Sequence, residues 1–182
     1  MDPIVLASAS PQRRAILEQL GVPFVVRPAG VDELDTGDPP KVALENARRK
    51  ARAVAGEHVL GVDTVVALDG RIHGKPADAE HARATLMTLS GRTHVVHSGI
   101  HLTGVGEAVE STSVTFRRLD ADLADWYLRS GEWRGRAGGY AIQGRGAALV
   151  DSISGDYANV VGLPVTAFMD LLRTLGFPGK SA

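Results

Sequence analysis

The chain has no cysteine, which excludes a disulfide framework, a thiolate nucleophile and a Cys-based zinc site. Aromatic residues make up only 5% of it, too few for the stacking platforms on which single-stranded nucleic acids are held. Charge of one sign is also missing: 20 Lys and Arg stand against 21 Asp and Glu, a net charge of -1. No global field therefore draws the chain to nucleic acid or to an acidic membrane surface, and any polyanion must be met locally. Its apolar runs fall well short of the ~20 residues that a membrane span requires. Met1 is followed by Asp2 and Pro3 instead of the basic and apolar segments of an export signal. The expectation is a cytoplasmic protein with no membrane and no nucleic-acid partner. Repeats, low-complexity tracts and Pro/Ser linkers are absent as well. What is present is 182 residues that are 44% hydrophobic, enough for one domain over residues 1–182 with a sizeable core.

Periodicity predicts an α/β domain with a mixed sheet. Ile4-Val5-Leu6-Ala7 reads as a strand, Ser8 to Pro11 as a tight turn, and Ile16, Leu17 and Leu20 recur at helical spacing as far as Gly21. Phe24-Val25-Val26 is a second short strand, followed by an acidic loop from Pro28 to Pro40. Leu44, Ala47, Ala51 and Val54 form the apolar stripe of a helix over Lys41 to Ala55, with Glu45 and Arg49 paired on its wet side. His58 to Leu68 is strand-like, and Asp69-Gly70 turns it into Arg71-Ile72-His73. A helix capped by Asp78 runs to Leu89, and two alternating segments, Thr93 to Leu102 and Ala108 to Arg117, form an antiparallel pair. Asp120 to Arg129 is a short helix with Leu123, Trp126 and Tyr127 inward. After a glycine-rich stretch, Ala147 to Ile153 is a last strand and Pro164 to Leu175 a last helix.

Two places carry chemistry. Ser8-Ala9-Ser10-Pro11-Gln12-Arg13-Arg14 passes from a strand into a helix, where free N–H groups and the positive end of the helix dipole favour an anion. Two arginines in a first helical turn oppose that dipole unless an anion such as phosphate compensates them; the alternative is a plain Ser10 cap with both arginines on a solvated face. Asp63 is the second place, set between Val62 and Thr64 in a run made for burial. A carboxylate there needs N–H donors, a cationic partner or a metal. Lys50, at the edge of its helix's apolar stripe, points along the sheet or snorkels outward. Gly74-Lys75-Pro76 can hold Lys75 over the strand ends. Glu33 and Asp63 together suit a hard divalent ion that also takes phosphate and water as ligands. His94, His97 and His101 do not make a zinc site, because strand residues 94 and 97 point to opposite faces.

Eight segments in order carry a resemblance. They are Leu6-Ala7-Ser8-Ala9-Ser10-Pro11 with Arg13, Val31-Asp32-Glu33, Lys50-Ala51, Val62-Asp63-Thr64-Val65-Val66, Gly74-Lys75-Pro76, Leu89-Ser90-Gly91-Arg92-Thr93-His94, Ala137-Gly138-Gly139-Tyr140 with Ile142-Gln143-Gly144, and Val160-Val161-Gly162-Leu163-Pro164. Over nearly the whole chain they resemble the Maf family of nucleoside triphosphate pyrophosphatases. The resemblance implies an elongated α/β domain, similar to inosine triphosphate pyrophosphatase, in which helices flank a mixed twisted sheet with a central cleft. It implies hydrolysis of a nucleoside triphosphate to monophosphate and pyrophosphate with a divalent cation, Mg²⁺, Mn²⁺ or Co²⁺, and a homodimer. By position it makes Asp63 the general base and places Ser10, Arg13, Glu33, Lys50 and Lys75 around the triphosphate and metal.

Base preference follows three further positions. The branch that acts on dTTP and UTP carries Arg, Thr and Gln where this chain has Gln12, Thr64 and Gln143; the 7-methyl-GTP branch carries Trp, Gln and Glu. Thr64 and Gln143 thus match the pyrimidine branch and Gln12 matches neither, so pyrimidines are expected as substrates, though not exclusively. The rival expectation from another class is a nucleotide-sensing regulator of septum formation with little turnover.

Overall fold

Strand β3 (Val59–Leu68), ten residues rich in valine, is the axis of the fold. Its partners are β1 (Ile4–Leu6) and β5 (Thr93–Leu102), with β2 (Phe24–Val26), β6 (Gly106–Phe116) and β7 (Val150–Ser154) extending the sheet in the order β2-β1-β3-β5-β6-β7 and β4 (Arg71–His73) attached to β3. This is a computed structural model and describes residues 2–178; Met1 and residues 179–182 of the expected domain lie outside the described residues. β1 pairs in parallel with β2 and β3, and the remaining pairs are antiparallel, so the sheet is mixed as expected.

The register leaves an opening. On one side of β3, residues Leu60 to Ala67 pair continuously with β5. On the other side β1 reaches only Val59 and Leu60, and β4 begins only at Val66. Residues 61–65 of β3 therefore have a strand on one side alone, and the sheet is split at Asp63 and Thr64.

Alternation sends these two side chains to opposite faces. On the face of Leu60, Val62, Val66 and Leu68 there are two cores. One packs Leu60 and Val62 against α1 (Pro11–Gln19) and α6 (Val165–Thr174), through Ile16, Leu17, Phe168 and Leu172. The other packs Val66 and Leu68 against α3 (Ala79–Leu89) and α4 (Ala121–Leu128), through Leu86, Leu89 and Tyr127. Thr64 falls between the two cores. On the opposite face a single helix, α2 (Pro39–Arg52), lies across β3 and β5, with Val59 and Val65 against Ala51, Val42 and Ala43.

The approach of α2 is set by two strand glycines. A Cβ at Gly61 would overlap the Ala47 carbonyl oxygen and lie 2.8 Å from the Ala51 nitrogen, and one at Gly99 would lie 2.5 Å from the Ala43 carbonyl. With hydrogen there, helix backbone rests on sheet backbone, the role glycine has in a strand where another chain comes close.

Several expectations are corrected. α2 runs from Pro39 to Arg52 instead of Lys41 to Ala55, because Pro39 sits in the first turn, where its missing N–H costs nothing. Its buried face is Val42, Ala43, Asn46, Ala47, Lys50 and Ala51, so it includes two polar residues that the apolar stripe omitted. In α4, Trp126 is exposed and Ala124 takes the inward place; the Trp126 ring instead carries the Arg145 guanidinium, 5.5 Å from its centroid. Residues 145–149 form a 3₁₀ turn before β7, and α5 (Tyr157–Val161), five residues long, escapes helical periodicity because it spans little more than one turn.

Gly61→Ala should destabilise the protein by about 1–3 kcal/mol, the cost of overpacking a closed interface. Urea unfolding should show a lower midpoint at unchanged slope. A midpoint equal to that of the parent would mean that α2 can move away from the sheet without penalty.

Candidate active site

A cleft of about 880 Å³ occupies the split in the sheet. All nine site residues expected from the sequence line it: Ser10, Gln12, Arg13, Glu33, Lys50, Asp63, Thr64, Lys75 and Gln143. The turn from β1 into α1, the Glu33 loop, the glycine-rich segment around Arg136, Tyr140 and Gln143, and residues 160–162 also line it.

Lys50 is at the centre. Its ammonium lies 2.6 Å from Asp63 Oδ1 and 2.7 Å from Glu33 Oε1, and donates to the Val62 carbonyl at 3.3 Å, a backbone acceptor on the unpaired edge of β3. The side chain is buried, so of the two fates open to it, it lies along the sheet. Asp63 Oδ2 accepts from Asn46 Nδ2 at 2.9 Å, and Asn46 also exchanges hydrogen bonds with the Leu34 backbone N–H and carbonyl. Asn46 thus ties the Glu33 loop to Asp63; the signal for it was its place four residues before Lys50 on one helix face. Glu33 is completed by Lys75, 2.7 Å from Oε2. Lys75 is held by its own loop, where the Gly138 N–H donates to the Gly74 carbonyl at 3.2 Å.

Burial would raise the Glu33 carboxyl, but hydrogen bonds and charge from Lys50 and Lys75 outweigh it and hold the group at about 2. The buried carboxylate of Asp63 has a cationic partner in Lys50 and an N–H donor in Asn46, two of the three ways of tolerating it that its position allowed.

Arg13 is the buried member of the α1 arginine pair. Its Nε donates to the Gly162 carbonyl at 2.8 Å, Nη1 to Ser8 Oγ at 3.0 Å and Nη2 to Thr64 Oγ1 at 3.2 Å. Burial lowers the guanidinium's pKa and the charges of Asp63 and Glu33 counter that. Three of its five N–H donors are engaged, which leaves two for a ligand in the cleft. Ser8 and Gly162 lie in motif segments, but nothing in the sequence marked them as partners of Arg13. Arg14 goes elsewhere: it pairs with Glu18 at 2.8 Å on the wet face, so only one of the two arginines bears on an anion. Ser10 caps α1 by accepting from the Arg13 N–H at 3.4 Å, and its hydroxyl donates to Gln12 Oε1 at 3.2 Å. Cap and anion site coincide here.

The histidines take separate partners. His94 Nε2 contacts the Tyr140 hydroxyl at 2.8 Å in the core, His97 Nδ1 faces Ser111 Oγ at 2.8 Å, and His101 Nδ1 faces Glu107 at 3.0 Å. Among the described residues no three His, Cys, Asp or Glu side chains gather as a metal cage. Glu33 and Asp63, bridged by one ammonium, instead offer oxygen ligands only. Each of their oxygens carries one N–H donor and keeps a lone pair. That donor set fits a hard divalent cation that takes one or two carboxylates and completes its shell with phosphate oxygens and water.

Comparison with known proteins gives the chain a family. The sequence pattern of the family described as Maf-like protein matches residues 3–175. The dTTP/UTP pyrophosphatase of Thermus thermophilus is 48% identical over 179 residues, covering 96% of each chain. The dTTP/UTP pyrophosphatase of Symbiobacterium thermophilum is 46% identical over 187 residues, 98% of this chain and 96% of its own. That of Pyrococcus furiosus is 44% identical over 182 residues, 95% of each.

Because folding lowers the Glu33 pKa from 4.5 to about 2, the ion pairs of Glu33 stabilise the fold fully above pH 4.5. That contribution is lost as pH falls from there towards 2. Lys75→Met removes one of the two ammonium partners and should shrink the loss. The advantage of the parent over Lys75→Met in urea unfolding should therefore narrow as pH drops through this window. His94, held down at about 4 by burial and by the charge of His73, titrates in both proteins and cancels. A difference that stays constant from pH 6 to pH 2 would contradict the assignment.

Proposed function

The chain belongs to the Maf family, and from that premise we propose that it hydrolyses nucleoside triphosphates between the α and β phosphates, releasing a monophosphate and pyrophosphate, with dTTP and UTP among its substrates. The observation that carries this reading is the buried Asp63 and the more exposed Glu33 bridged by Lys50 in the same cleft as Arg13, Lys75 and a helix N-terminus. Such a site grips a polyphosphate with fixed cations and N–H donors while keeping a carboxylate beside it.

Each residue then has a task. The Gln12 N–H in the first turn of α1, the Ser10 hydroxyl and the two unengaged donors of Arg13 bind phosphate oxygens, and Lys75 reaches them from its own loop. Asp63 takes a proton from the attacking water. The water oxygen forms a bond to the α phosphorus, the bond from that phosphorus to the α-β bridging oxygen breaks, and pyrophosphate leaves with the electron pair. Lys50 and Asn46 hold Asp63 in place through this change. A divalent cation (Mg²⁺, Mn²⁺ or Co²⁺) held by Glu33 and Asp63 would supply neutralisation of phosphate charge and polarise the phosphoryl oxygens. The proposal carries with it a cytoplasmic location and a homodimer; among the described residues no helix is long and apolar enough to cross a membrane.

Gln12, Thr64 and Gln143 read the base. Gln12 offers a donor and an acceptor without charge, where a guanidinium would offer donors only in a rigid fork. Its discrimination is correspondingly looser, and pyrimidine triphosphates are accepted without being exclusive.

Asp63→Asn should lower kcat by about 10²–10⁴ with the far-ultraviolet spectrum unchanged, and chromatography of the parent's products should show monophosphate and pyrophosphate. A near-normal rate would return Asp63 to a structural role, and orthophosphate with diphosphate as first products would refute α-β cleavage. For base choice, kcat/KM across UTP, dTTP, CTP, GTP and ATP should narrow towards UTP and dTTP in Gln12→Arg. An unchanged ranking would mean that position 12 does not read the base.

A further inference from the structure

Behind Thr64 a chain of buried hydrogen bonds leads from the cleft along one face of the sheet to α5, and the reaction described above does not use it. Thr64 Oγ1 lies 2.8 Å from Ser98 Oγ, its neighbour across β3 and β5, and Ser98 Oγ lies 3.4 Å from the backbone carbonyl of Asn159 in α5. Asn159 is locked. Its Nδ2 group donates to the Val96 carbonyl and to Thr112 Oγ1, each at 3.0 Å. Thr112 Oγ1 in turn donates to the Asp156 carbonyl and accepts from the Asp156 N–H, both at 3.1 Å. Ser98, Thr112 and Asn159 have no exposed surface.

A hydroxyl has one proton and two lone pairs, so Thr64 and Ser98 can be wired in two ways. Either Thr64 donates to Ser98 and Ser98 donates to the Asn159 carbonyl, or Ser98 donates to Thr64 and the Thr64 proton turns to the Gly162 carbonyl, 3.5 Å away, or into the cleft. Among the described residues Ser98 is the donor that reaches the Asn159 carbonyl. The second wiring would leave that buried acceptor without a partner, a state that native interiors avoid. The Gly162 carbonyl needs no second donor, because it already accepts from Arg13 Nε at 2.8 Å. The first wiring is therefore favoured. In it the Thr64 proton is committed to Ser98 and one lone pair receives Arg13 Nη2 at 3.2 Å. A single lone pair is what Thr64 has left to offer the cleft.

We propose that Ser98 is a specificity-determining positioning residue: by holding the Thr64 proton it makes Thr64 an acceptor towards the nucleobase. The cleft then favours bases whose ring-edge nitrogen carries a proton, as in uracil and thymine, over cytosine, whose corresponding nitrogen is an acceptor. The inference rests on the proposed triphosphate hydrolysis and on Thr64 facing the base.

The test compares kcat/KM for UTP and CTP in the parent, Ser98→Ala, Thr64→Val and the double variant, with a melting curve for each. The parent should prefer UTP. Ser98→Ala frees the Thr64 proton to turn into the cleft, and the UTP to CTP ratio should fall by about tenfold or more. In the Thr64→Val background Ser98→Ala should not change the ratio, because no hydroxyl remains to be oriented. Should Ser98→Ala fail to fold, Ser98→Cys, whose thiol is a weak donor, should move the ratio in the same direction by less. A folded Ser98→Ala or Ser98→Cys with the parent's ratio overturns the role of Ser98, as does an equal fall in kcat/KM for both substrates or a parent that does not distinguish UTP from CTP. A parent that hydrolyses no triphosphate at all would overturn the proposed activity, and this role with it.

Discussion

One ammonium group holds the site together. Lys50 projects from a helix that lies across the sheet and meets three oxygen acceptors that would otherwise repel or go unpaired: the carboxylates of Asp63 and Glu33 and the carbonyl of Val62. Two carboxylates side by side in a half-closed cleft repel each other strongly unless a cation lies between them. Removing one partner from such a buried arrangement typically costs about 3–5 kcal/mol, because a charge is left without compensation. Lys50 reaches this point because α2 lies almost in contact with the backbone of β3 and β5, over Gly61 and Gly99. The glycines belong to packing and the lysine to chemistry, but neither arrangement exists without the other.

The sheet itself supplies the second condition. A strand that was paired on both sides along its length would bring its two faces to two separate surfaces. Because β1 stops at Leu6 and β4, running back along β3, stops at His73 opposite Val66, the edge of β3 is bare around Asp63 and Thr64, and a ligand in the gap meets residues from both faces. Asp63, on the α2 face, is thereby joined to the charge cluster. Thr64, on the other face, is joined to Arg13, Ser98 and the turn at Gly162. In the proposed reading, reaction and recognition fall on consecutive residues, each supported by its own hydrogen-bond network.

Much of this was legible in the sequence because it is local. The turn from β1 into α1, the capping aspartate at 78, the β5-β6 hairpin and the anomalous Asp63 are all marked by residue type and spacing over a few positions. The ordered motifs added what spacing alone left open, and the residues they indicated line one cleft. What escaped depends on contacts distant in the chain. Gly61 and Gly99 sit in strands, where a glycine signals close backbone approach but does not say which helix approaches. Asn46 looked like any polar residue beside an apolar stripe, and its role exists only because Leu34 and Asp63 converge on it. Ser98 and Asn159, 61 residues apart, become meaningful only when β5 and α5 meet. Arg14 misled in the other direction, since an adjacent turn of the same helix supplied Glu18 and satisfied it without a ligand.

The central claim is that this cluster directs water at the α phosphorus of a bound triphosphate, with Asp63 as the base. Hydrolysis of UTP in water enriched in ¹⁸O, followed by mass spectrometry of the products after a single turnover, tests it most directly. Attack at the α phosphorus places the heavy oxygen in the uridine monophosphate and leaves the pyrophosphate unlabelled. Label in the pyrophosphate, with none in the monophosphate, would mean attack at the β phosphorus and would contradict the account.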